Sequence, residues 1–254
     1  MPKNNLKQLD IMTHIVAGFP DFNFNEKLVQ IFENLKINFL EIQFPFSDPV
    51  ADGPVLMKAN EISLQNGTKI SDCFNFIKKI RSNFSGQIFL MGYFNLIFRM
   101  GIEKFCQSAK KFGANGLIFP DIPFDEASNE NFLQTCQSFS LPIIQVVSEL
   151  TPINRLEKMA KLPGEIIYCI SRFGTTGDGK FSSNLKNFLE RVKQKTNKKI
   201  AVGFGITKKE DLKILPQVTE IAVIGSAISK IIFKENKTEE KKLYEIEKLL
   251  ENLR

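Results

Sequence analysis

The chain contains 254 residues, of which 43% are hydrophobic and 24% are charged, and its formal net charge is +6. These proportions are ordinary for a globular protein, and they exclude collagen, low-complexity sequence and intrinsic disorder. The charges are spread along the chain and form no basic arm or stripe, which gives weak support for an anionic ligand and little for nucleic acid. At about 150 residues per domain the length suggests one or two domains, but α/β barrels commonly run to about 250 residues as a single unit.

Cysteine and histidine usage excludes the common metal and dithiol sites. The four cysteines are Cys73, Cys106, Cys136 and Cys169. They form no C-x-x-C pair, so we expect buried thiols of a cytoplasmic protein. His14 is the only histidine, which excludes multi-histidine metal sites and leaves one candidate base, although its apolar neighbours indicate a strand position instead. No metal site is expected.

The N-terminal segment, MPKNNLKQLD, has no apolar region of the kind found in secretory signals. No apolar run approaches the roughly 18 residues that are needed to span a bilayer. We therefore expect a soluble, cytoplasmic protein with no membrane segment.

Eight short β-rich segments recur along the chain, and stretches with helical spacing separate them. In chain order the predicted strands are MTHIVA, FLEIQF, QIFLM, GLIF, PIIQVV, EIIYCIS, KIAVGF and EIAVIG. The i, i+3, i+4, i+7 spacing of an amphipathic helix first occurs at Leu28, Ile31, Phe32 and Leu35. Each strand is therefore predicted to be followed by a helix.

A final helix is predicted from about Thr238 to Leu253, with Leu243, Ile246 and Leu250 on one face. No linker or change in composition divides the chain, so residues 1–254 are predicted to form a single domain. Repeated βα units with right-handed crossovers can close into a barrel. The predicted fold is therefore α/β, a single (β/α)8 TIM barrel with an additional C-terminal helix.

A doubly wound open sheet is the alternative fold. Its G-x-G-x-x-G fingerprint is incomplete here, because Gly203 and Gly205 are followed by Lys208 where the third glycine belongs. The barrel is favoured, and it predicts an active site at the C-terminal ends of the strands.

Strand 2 carries the first candidate catalytic residue. Its alternation puts Leu40 and Ile42 on one face and Glu41 and Gln43 on the other. The apolar face should meet the helices, so Glu41 is predicted to point into the barrel, where a carboxyl is suited to proton transfer. An interior glutamate paired with a lysine or arginine is the alternative.

The loop after strand 2, Pro45–Pro54, holds Asp48 and Asp52 between stiffening prolines. Such a loop can hold an aspartate opposite Glu41, which gives two carboxylates in unlike environments with separate acid and base roles. Alternatively, these aspartates only form turns or cap the next helix. Asp121, after strand 4, is a third candidate.

Strands 7 and 8 end in Gly203–Gly205 and Gly225–Ala227. In many barrels these two loops bind phosphate, because backbone N–H groups and a helix N-terminus face the anion and glycine permits a close approach. A phosphate site is predicted here. The alternative is that the glycines only relieve crowding at the strand ends.

The loop after strand 6 is polar and rich in glycine. Gly174 to Lys180 fits G-x-x-x-x-G-K, but Phe181 stands where a P-loop needs Ser or Thr to bind magnesium, so nucleotide hydrolysis is not favoured. The glycines favour a lid that closes over a substrate and excludes water. A merely flexible connection is the alternative.

Four segments of the chain resemble the tryptophan synthase α-subunit family, in the family's order and near its spacing, along essentially the whole length. They are LEIQFPFSDPVADGP at 40–54, YCISR at 168–172 with TG at 176–177, GFGI at 203–206 and IGSAI at 224–228. The probability that four ordered segments agree by chance is very small.

This resemblance implies a carbon–carbon lyase of tryptophan biosynthesis, which cleaves indole-3-glycerol phosphate by a retro-aldol reaction to indole and glyceraldehyde 3-phosphate. It implies that Glu41 and Asp52 are the catalytic residues, and it gives Asp121 no catalytic counterpart. The substrate-binding positions that it implies are Tyr168, Thr176, Gly177, Phe204, Gly205, Gly225 and Ser226.

The resemblance also implies no cofactor in this chain, with pyridoxal phosphate only in a partner β subunit, and an α2β2 hetero-tetramer. Two departures from the family pattern stand out. Gln43 occupies a position that is commonly glycine, which concerns the packing at the mouth of strand 2. Phe19 replaces the aspartate of a Gly-Asp-Pro segment, in a loop that faces the β subunit in the family.

Two other functions remain open from the residues alone. A phosphate-binding barrel enzyme of the sugar-phosphate isomerase type would share the glycine loops but would not need the Asp48–Asp52 loop. A barrel that only binds and activates a β-type partner would need neither Glu41 nor Asp52, so the presence of both argues against it.

Overall fold

A computed structural model describes residues 9–122, 124–125, 130–170, 183–203, 205–215 and 217–254. The strands are β1 Asp10–Val16, β2 Phe39–Gln43, β3 Gln87–Met91, β4 Gly116–Ile118, β5 Gln145–Val147, β6 Ile166–Ile170, β7 Lys199–Gly203 and β8 Thr219–Ile224. The helices of the described residues are α1 Phe22–Asn34, α2 Pro54–Gln65, α3 Ile70–Arg81, α4 Phe94–Met100, α5 Ile102–Lys111, α6 Phe132–Ser138, α7 Ile153–Ala160, α8 Ser183–Thr196, α9 Lys209–Ile214, α10 Ser226–Ile232 and α11 Glu239–Leu253.

The eight strands form one parallel sheet in the order β4-β3-β2-β1-β8-β7-β6-β5. The two ends of this order meet at a parallel bridge between Leu117 and Ile143. There the Leu117 N–H donates to the Pro142 carbonyl at 2.9 Å, and the Ile144 N–H donates to the Leu117 carbonyl at 2.8 Å. The sheet therefore closes on itself, which confirms the predicted TIM barrel and rejects the open doubly wound sheet.

Two apolar layers enclose the strands, as the alternation of their side chains requires. The outer layer, between strands and helices, contains Leu40 and Ile42 of β2. The barrel interior is filled by a second cluster, whose buried members are Met12, Phe39, Phe89, Met91, Tyr93, Ile118, Ile144, Ile166, Ala201, Ile221 and Val223. The polar side chains on the inward faces of β1 and β2 lie next to this apolar cluster.

Besides the extra C-terminal helix, the described part of the chain departs from one helix per strand after β2 and after β3. Two helices follow β2 and two follow β3. Gly67, with φ of 81°, lies between α2 and α3, and Gly101, with φ of 90°, lies between α4 and α5. These positive φ values interrupt a helix and favour glycine, so each predicted helical stretch is split into two.

The C-terminal helix α11 confirms the predicted extra helix. The Thr238 hydroxyl accepts from the Lys241 N–H at 3.4 Å and caps its start. Ile246, Leu250 and Leu253 are buried, and α11 packs against α1, α9 and α10. In the described part of the chain, no helix combines the length and the apolar character that a membrane crossing requires.

Candidate active site

Glu41 lies inside the barrel with only 2% of its surface exposed. Its neighbours Leu40 and Ile42 face the helices and Phe39 belongs to the interior cluster, which confirms the orientation that the strand alternation predicts. Among the described residues, no lysine or arginine forms an ion pair with Glu41. The group that faces Glu41 is His14, whose Nδ1 lies 3.3 Å from Glu41 Oε2.

His14 reaches Glu41 because β1 and β2 pair in register, with His14 opposite Glu41. Its ring is buried, with 4% exposure. Gly225, at the end of β8, leaves room for it: a Cβ at that glycine would lie 3.0 Å from His14 Cβ and 3.1 Å from Cγ. The strand position predicted for His14 is therefore confirmed, and its side chain lies in the site.

Asp52 joins the same cluster through Gln43. The Gln43 side-chain amide donates to Asp52 Oδ2 at 2.6 Å, and Gln43 Oε1 lies 3.0 Å from His14 Nε2. Gln43 itself is fully buried. A continuous line of polar contacts therefore runs from Glu41 through His14 and Gln43 to Asp52, and it fills the mouth of β2 at the position where the family commonly has glycine.

The loop that carries Asp52 is held by two residues from other elements. The Tyr93 hydroxyl accepts from the Ala51 N–H at 3.1 Å and also hydrogen-bonds to Asp52, while its ring stacks on Phe46 with centroids 5.1 Å apart. Asn60 of α2 accepts from the Phe46 N–H at 3.0 Å, and its amide lies 3.4 Å from Asp52 Oδ2. Asp52 is thus fixed from three directions.

Burial dominates the electrostatics of Asp52. It raises the pKa of Asp52, and the hydrogen bond from Gln43 and the charge of His14 oppose this only in part. Burial also raises the pKa of Tyr93 and of Tyr168, and the Asp52 charge raises both further. These two phenols therefore stay protonated at neutral pH and can donate hydrogen bonds.

Tyr168 lies on β6 and packs with the interior cluster. Its pKa is raised by burial and then by the charges of Glu41 and Asp52, so it belongs to the same electrostatic cluster. Next to it on β7, a Cβ at Gly203 would come within 2.8 Å of the Tyr168 hydroxyl. A side chain at this position would require the phenol to shift.

The described part of the predicted phosphate site lies at the ends of β7 and β8, which are neighbours in the barrel. Gly205 is exposed, has φ of 65° and has no atom within 4 Å of where a Cβ would stand. Gly225 precedes α10, and Ser226 is the first residue of that helix. Thr176, Gly177 and Phe204, and with them the predicted lid, lie outside the described residues.

Two other carboxylates that the sequence singled out do not join the cluster. Asp48 is exposed and accepts from the Ser47 hydroxyl at 2.6 Å. Asp121 accepts from the Phe94 N–H with both oxygens, at 3.0 and 2.8 Å, and so caps α4. The turn alternative considered for Asp48 fits its local contact, and the contacts of Asp121 are those of a helix cap.

Sequence reasoning missed the roles of His14, Gln43, Tyr93 and Asn60. The alternation that placed Glu41 could also have placed His14, since β1 puts His14 two residues after the inward-facing Met12. No local signal marks Tyr93 or Asn60, because their role depends on a loop from another part of the chain. Among the described residues, no group of three or more His, Cys, Asp or Glu side chains is arranged to hold a metal ion.

These features define a class of protein: a (β/α)8 barrel enzyme with two unlike carboxylates at the C-terminal mouth of its barrel. Comparison with known proteins gives the particular family. The family model described as tryptophan synthase alpha chain matches residues 3–254. The chain belongs to this family, which consists of lyases that cleave indole-3-glycerol phosphate, and the predicted family and enzyme activity are confirmed.

Individual relatives agree with this assignment. The chain is 36% identical to the tryptophan synthase alpha chain of Desulfotalea psychrophila over 231 residues, which are 91% of this chain and 90% of the relative. It is 31% identical to that of Petrotoga mobilis over 245 residues, or 96% and 94% of the two chains.

Solved structures agree as well. The tryptophan synthase α-subunit of Pyrococcus furiosus superposes with a TM-score of 0.88 at 28% identity and covers 98% of both chains. A chain from the tryptophan synthase complex of the same organism gives a TM-score of 0.87 at 27% identity, again over 98% of both chains. The barrel and its C-terminal helix are therefore common to this chain and these proteins.

One further departure from the family pattern has a structural consequence. Phe19 is 3% exposed and its ring lies 4.8 Å from that of Phe233. Its side chain thus belongs to the core beside the end of β1, and it is not offered to a partner at the surface.

Proposed function

We propose that Glu41 and Asp52 carry out the retro-aldol cleavage of indole-3-glycerol phosphate in this chain. The observation that carries the proposal is the line of contacts through His14 and Gln43, which joins a buried carboxyl to a half-buried carboxylate in one site. Two carboxylates in unlike environments can hold opposite protonation states at one pH. This is the arrangement that the reaction needs.

The chemistry assigns a separate task to each carboxylate. The bond that breaks joins an aromatic ring carbon to a carbon that bears a hydroxyl, and it opens only when the ring carbon is protonated and becomes an electron sink. The ionised Asp52 would accept the indole N–H and stabilise the positive charge that protonation places on that nitrogen. Glu41 would give the proton to the ring carbon and take one from the hydroxyl.

The phosphate of the substrate is proposed to bind at Gly205, Gly225 and Ser226. Their position at the ends of two adjacent strands, the positive φ of Gly205 and the open space beside it support a site where backbone N–H groups face an anion. Tyr168 is proposed to contact the substrate, because it shares the electrostatic cluster of the carboxylates. Thr176, Gly177 and Phe204 are proposed as further contacts from the family resemblance.

We propose that the chain acts with a tryptophan synthase β subunit in an α2β2 hetero-tetramer, which the similarity to a chain of the Pyrococcus furiosus tryptophan synthase complex supports. Pyridoxal phosphate would belong to the β subunit alone. Residues 1–254 are proposed to form one domain. A cytoplasmic location is also proposed, and it is supported by four free, buried cysteines.

The deciding experiment is to incubate the purified chain with indole-3-glycerol phosphate and to measure indole, with and without a β subunit. Indole and glyceraldehyde 3-phosphate in equal amounts support the proposal. A chain that yields no indole under either condition, but still raises the activity of the β subunit, would instead be a non-catalytic partner.

A further inference from the structure

We propose that His14 and Gln43 are positioning residues for the lyase reaction: His14 holds a proton in common with Glu41, and Gln43 passes the orientation of His14 on to Asp52. The inference rests on the proposed roles of Glu41 and Asp52. It concerns two buried polar side chains that those roles leave unexplained, since a barrel interior is normally filled with apolar groups.

The direction of each hydrogen bond follows from the chemistry of Gln43. Only the nitrogen of its side-chain amide can donate, and that nitrogen lies 2.6 Å from Asp52 Oδ2. The amide oxygen therefore remains for His14 and can only accept. His14 Nε2 lies 3.0 Å from this oxygen, so Nε2 must carry a hydrogen, and the tautomer of His14 is set by its contact with Gln43.

The proton between His14 and Glu41 follows next. With a hydrogen on Nε2, a neutral His14 presents the lone pair of Nδ1 to Glu41 Oε2 at 3.3 Å. An ionised Glu41 would also present a lone pair, and two facing lone pairs in a buried site repel. One proton must therefore lie between the two residues, either as imidazolium with carboxylate or as imidazole with carboxylic acid.

The surroundings of His14 favour this shared proton. Burial lowers the pKa of His14, but the charge and close approach of Glu41, the charge of Asp52 and the contact with Gln43 together raise it above its ordinary value. Glu41 comes from β2 and Asp52 from the following loop. Gly225, which packs on the ring from β8, carries no charge.

This arrangement would serve the two carboxylates in different ways. Glu41 has to give a proton to the ring carbon and take one from the substrate hydroxyl, so the pair with His14 ends each cycle with the proton it had at the start. When His14 is imidazolium, its charge favours the ionised form of Asp52. Gln43, whose amide oxygen accepts from His14 Nε2, also fixes the direction from which its amide nitrogen holds the Asp52 carboxylate.

The first test uses the fact that His14 is the only histidine. Long-range 1H–15N spectra of the chain labelled with 15N-histidine report its tautomer and its pKa with no overlap and without any turnover. We expect a hydrogen on Nε2 throughout the titration, and a pKa that drops by at least about one unit in Glu41→Gln, because burial then acts with less opposition. An unprotonated Nε2 at neutral pH, or the same pKa in both proteins, would overturn the proposal.

The second test compares turnover in His14→Phe, which keeps a flat ring without nitrogens, and His14→Gln, whose amide can still donate to Gln43. We expect His14→Phe to lower kcat about tenfold and to move the acid limb of the pH profile, with KM changed less than about twofold. His14→Gln should recover part of kcat. A merely structural role would change stability and would leave the pH profile unmoved.

A matched control separates the amide contact from the loss of any buried amide. Gln43→Met removes the contact with Asp52, whereas Gln145→Met removes another buried strand glutamine, whose side-chain amide donates to the Ile143 carbonyl at 3.4 Å. Only Gln43→Met should alter the pH profile. If Gln43→Met and His14→Phe keep the wild-type pH profile while Glu41→Gln is inactive, the positioning roles of His14 and Gln43 are rejected and the carboxylate chemistry stands. If Glu41→Gln is active, the proposed carboxylate chemistry is itself rejected.

Discussion

Gln43 and Asp52 are joined by a 2.6 Å hydrogen bond between the last residue of β2 and the loop that leaves it. The strand that points Glu41 into the barrel therefore also holds the second carboxylate, through a side chain two residues further along. A short segment of chain thus sets the relative position of both groups, and the rest of the barrel supports it through Tyr93 and Asn60.

Glu41→Gln is expected to lower turnover at least about 100-fold, because the amide keeps the size of the side chain and removes the group that moves protons. The fold should survive, since the amide N–H of Gln can donate to the lone pair of His14 Nδ1 within the barrel. Indole release from indole-3-glycerol phosphate measures the effect, and circular dichroism checks the fold. Turnover close to that of the wild-type chain would contradict the role of Glu41.

Asp52→Asn should reduce turnover by a similar factor of about 100, because a neutral amide cannot stabilise a positive charge on the indole nitrogen. Asp48→Asn in the same loop is the matched control, since Asp48 is exposed and its carboxylate accepts from the neighbouring Ser47 hydroxyl. In assays of the isolated chain, equal activity of the two variants would argue against a special role for Asp52.

The same substitution should change how stability depends on pH. Burial raises the pKa of Asp52 above 3.8, so the folded chain binds this proton more tightly than the unfolded chain. The resulting stabilisation is present below the unfolded pKa and is lost as the pH rises through the folded pKa. Asp52→Asn has no such loss. Its free energy of unfolding relative to wild type should therefore rise with pH across this range in chemical denaturation, and a flat or falling difference would contradict the shift.

Tyr93→Phe should lower turnover about five- to tenfold and stability by about 1 kcal/mol, the net value of a typical hydrogen bond. The variant keeps the stacking on Phe46 but loses the hydroxyl that contacts Ala51 and Asp52. Tyr244→Phe is the control, because Tyr244 is 57% exposed on α11. Identical kinetics in the two variants would show that Tyr93 does not position Asp52.

Ser226→Asp is expected to raise KM for indole-3-glycerol phosphate at least about tenfold, because it sets a negative charge against the phosphate dianion. Ser226→Asn, similar in shape and neutral, should raise it far less. Ser226 is a cleaner position than Gly225, where any Cβ would press on His14. If both variants bind the substrate equally well, or if indole glycerol without phosphate binds as tightly, the anion site lies elsewhere.

Local sequence patterns determined the barrel and the face of Glu41. Backbone geometry alone makes side chains alternate along a strand such as Phe39–Gln43 and repeat every three to four residues along a helix. These patterns can therefore be recognised in the sequence without knowledge of tertiary contacts. The four ordered segments likewise identified the family, since each is continuous in sequence. The sequence did not predict the two-helix connections after β2 and β3. A single glycine within a helical pattern is often tolerated, and only the structure shows that its positive φ ends one helix and begins another.

Only the tertiary structure decided what surrounds the carboxylates. Glu41 and His14 are far apart along the chain and meet because parallel pairing sets them side by side. Within the described ranges, strand register sets His14, not a lysine or arginine, against Glu41. Asp48 and Asp52 are chemically alike in sequence, and only the approach of Gln43, Asn60 and Tyr93 to one of them distinguishes them. Side-chain contacts between distant segments depend on how the barrel closes, which no local pattern encodes.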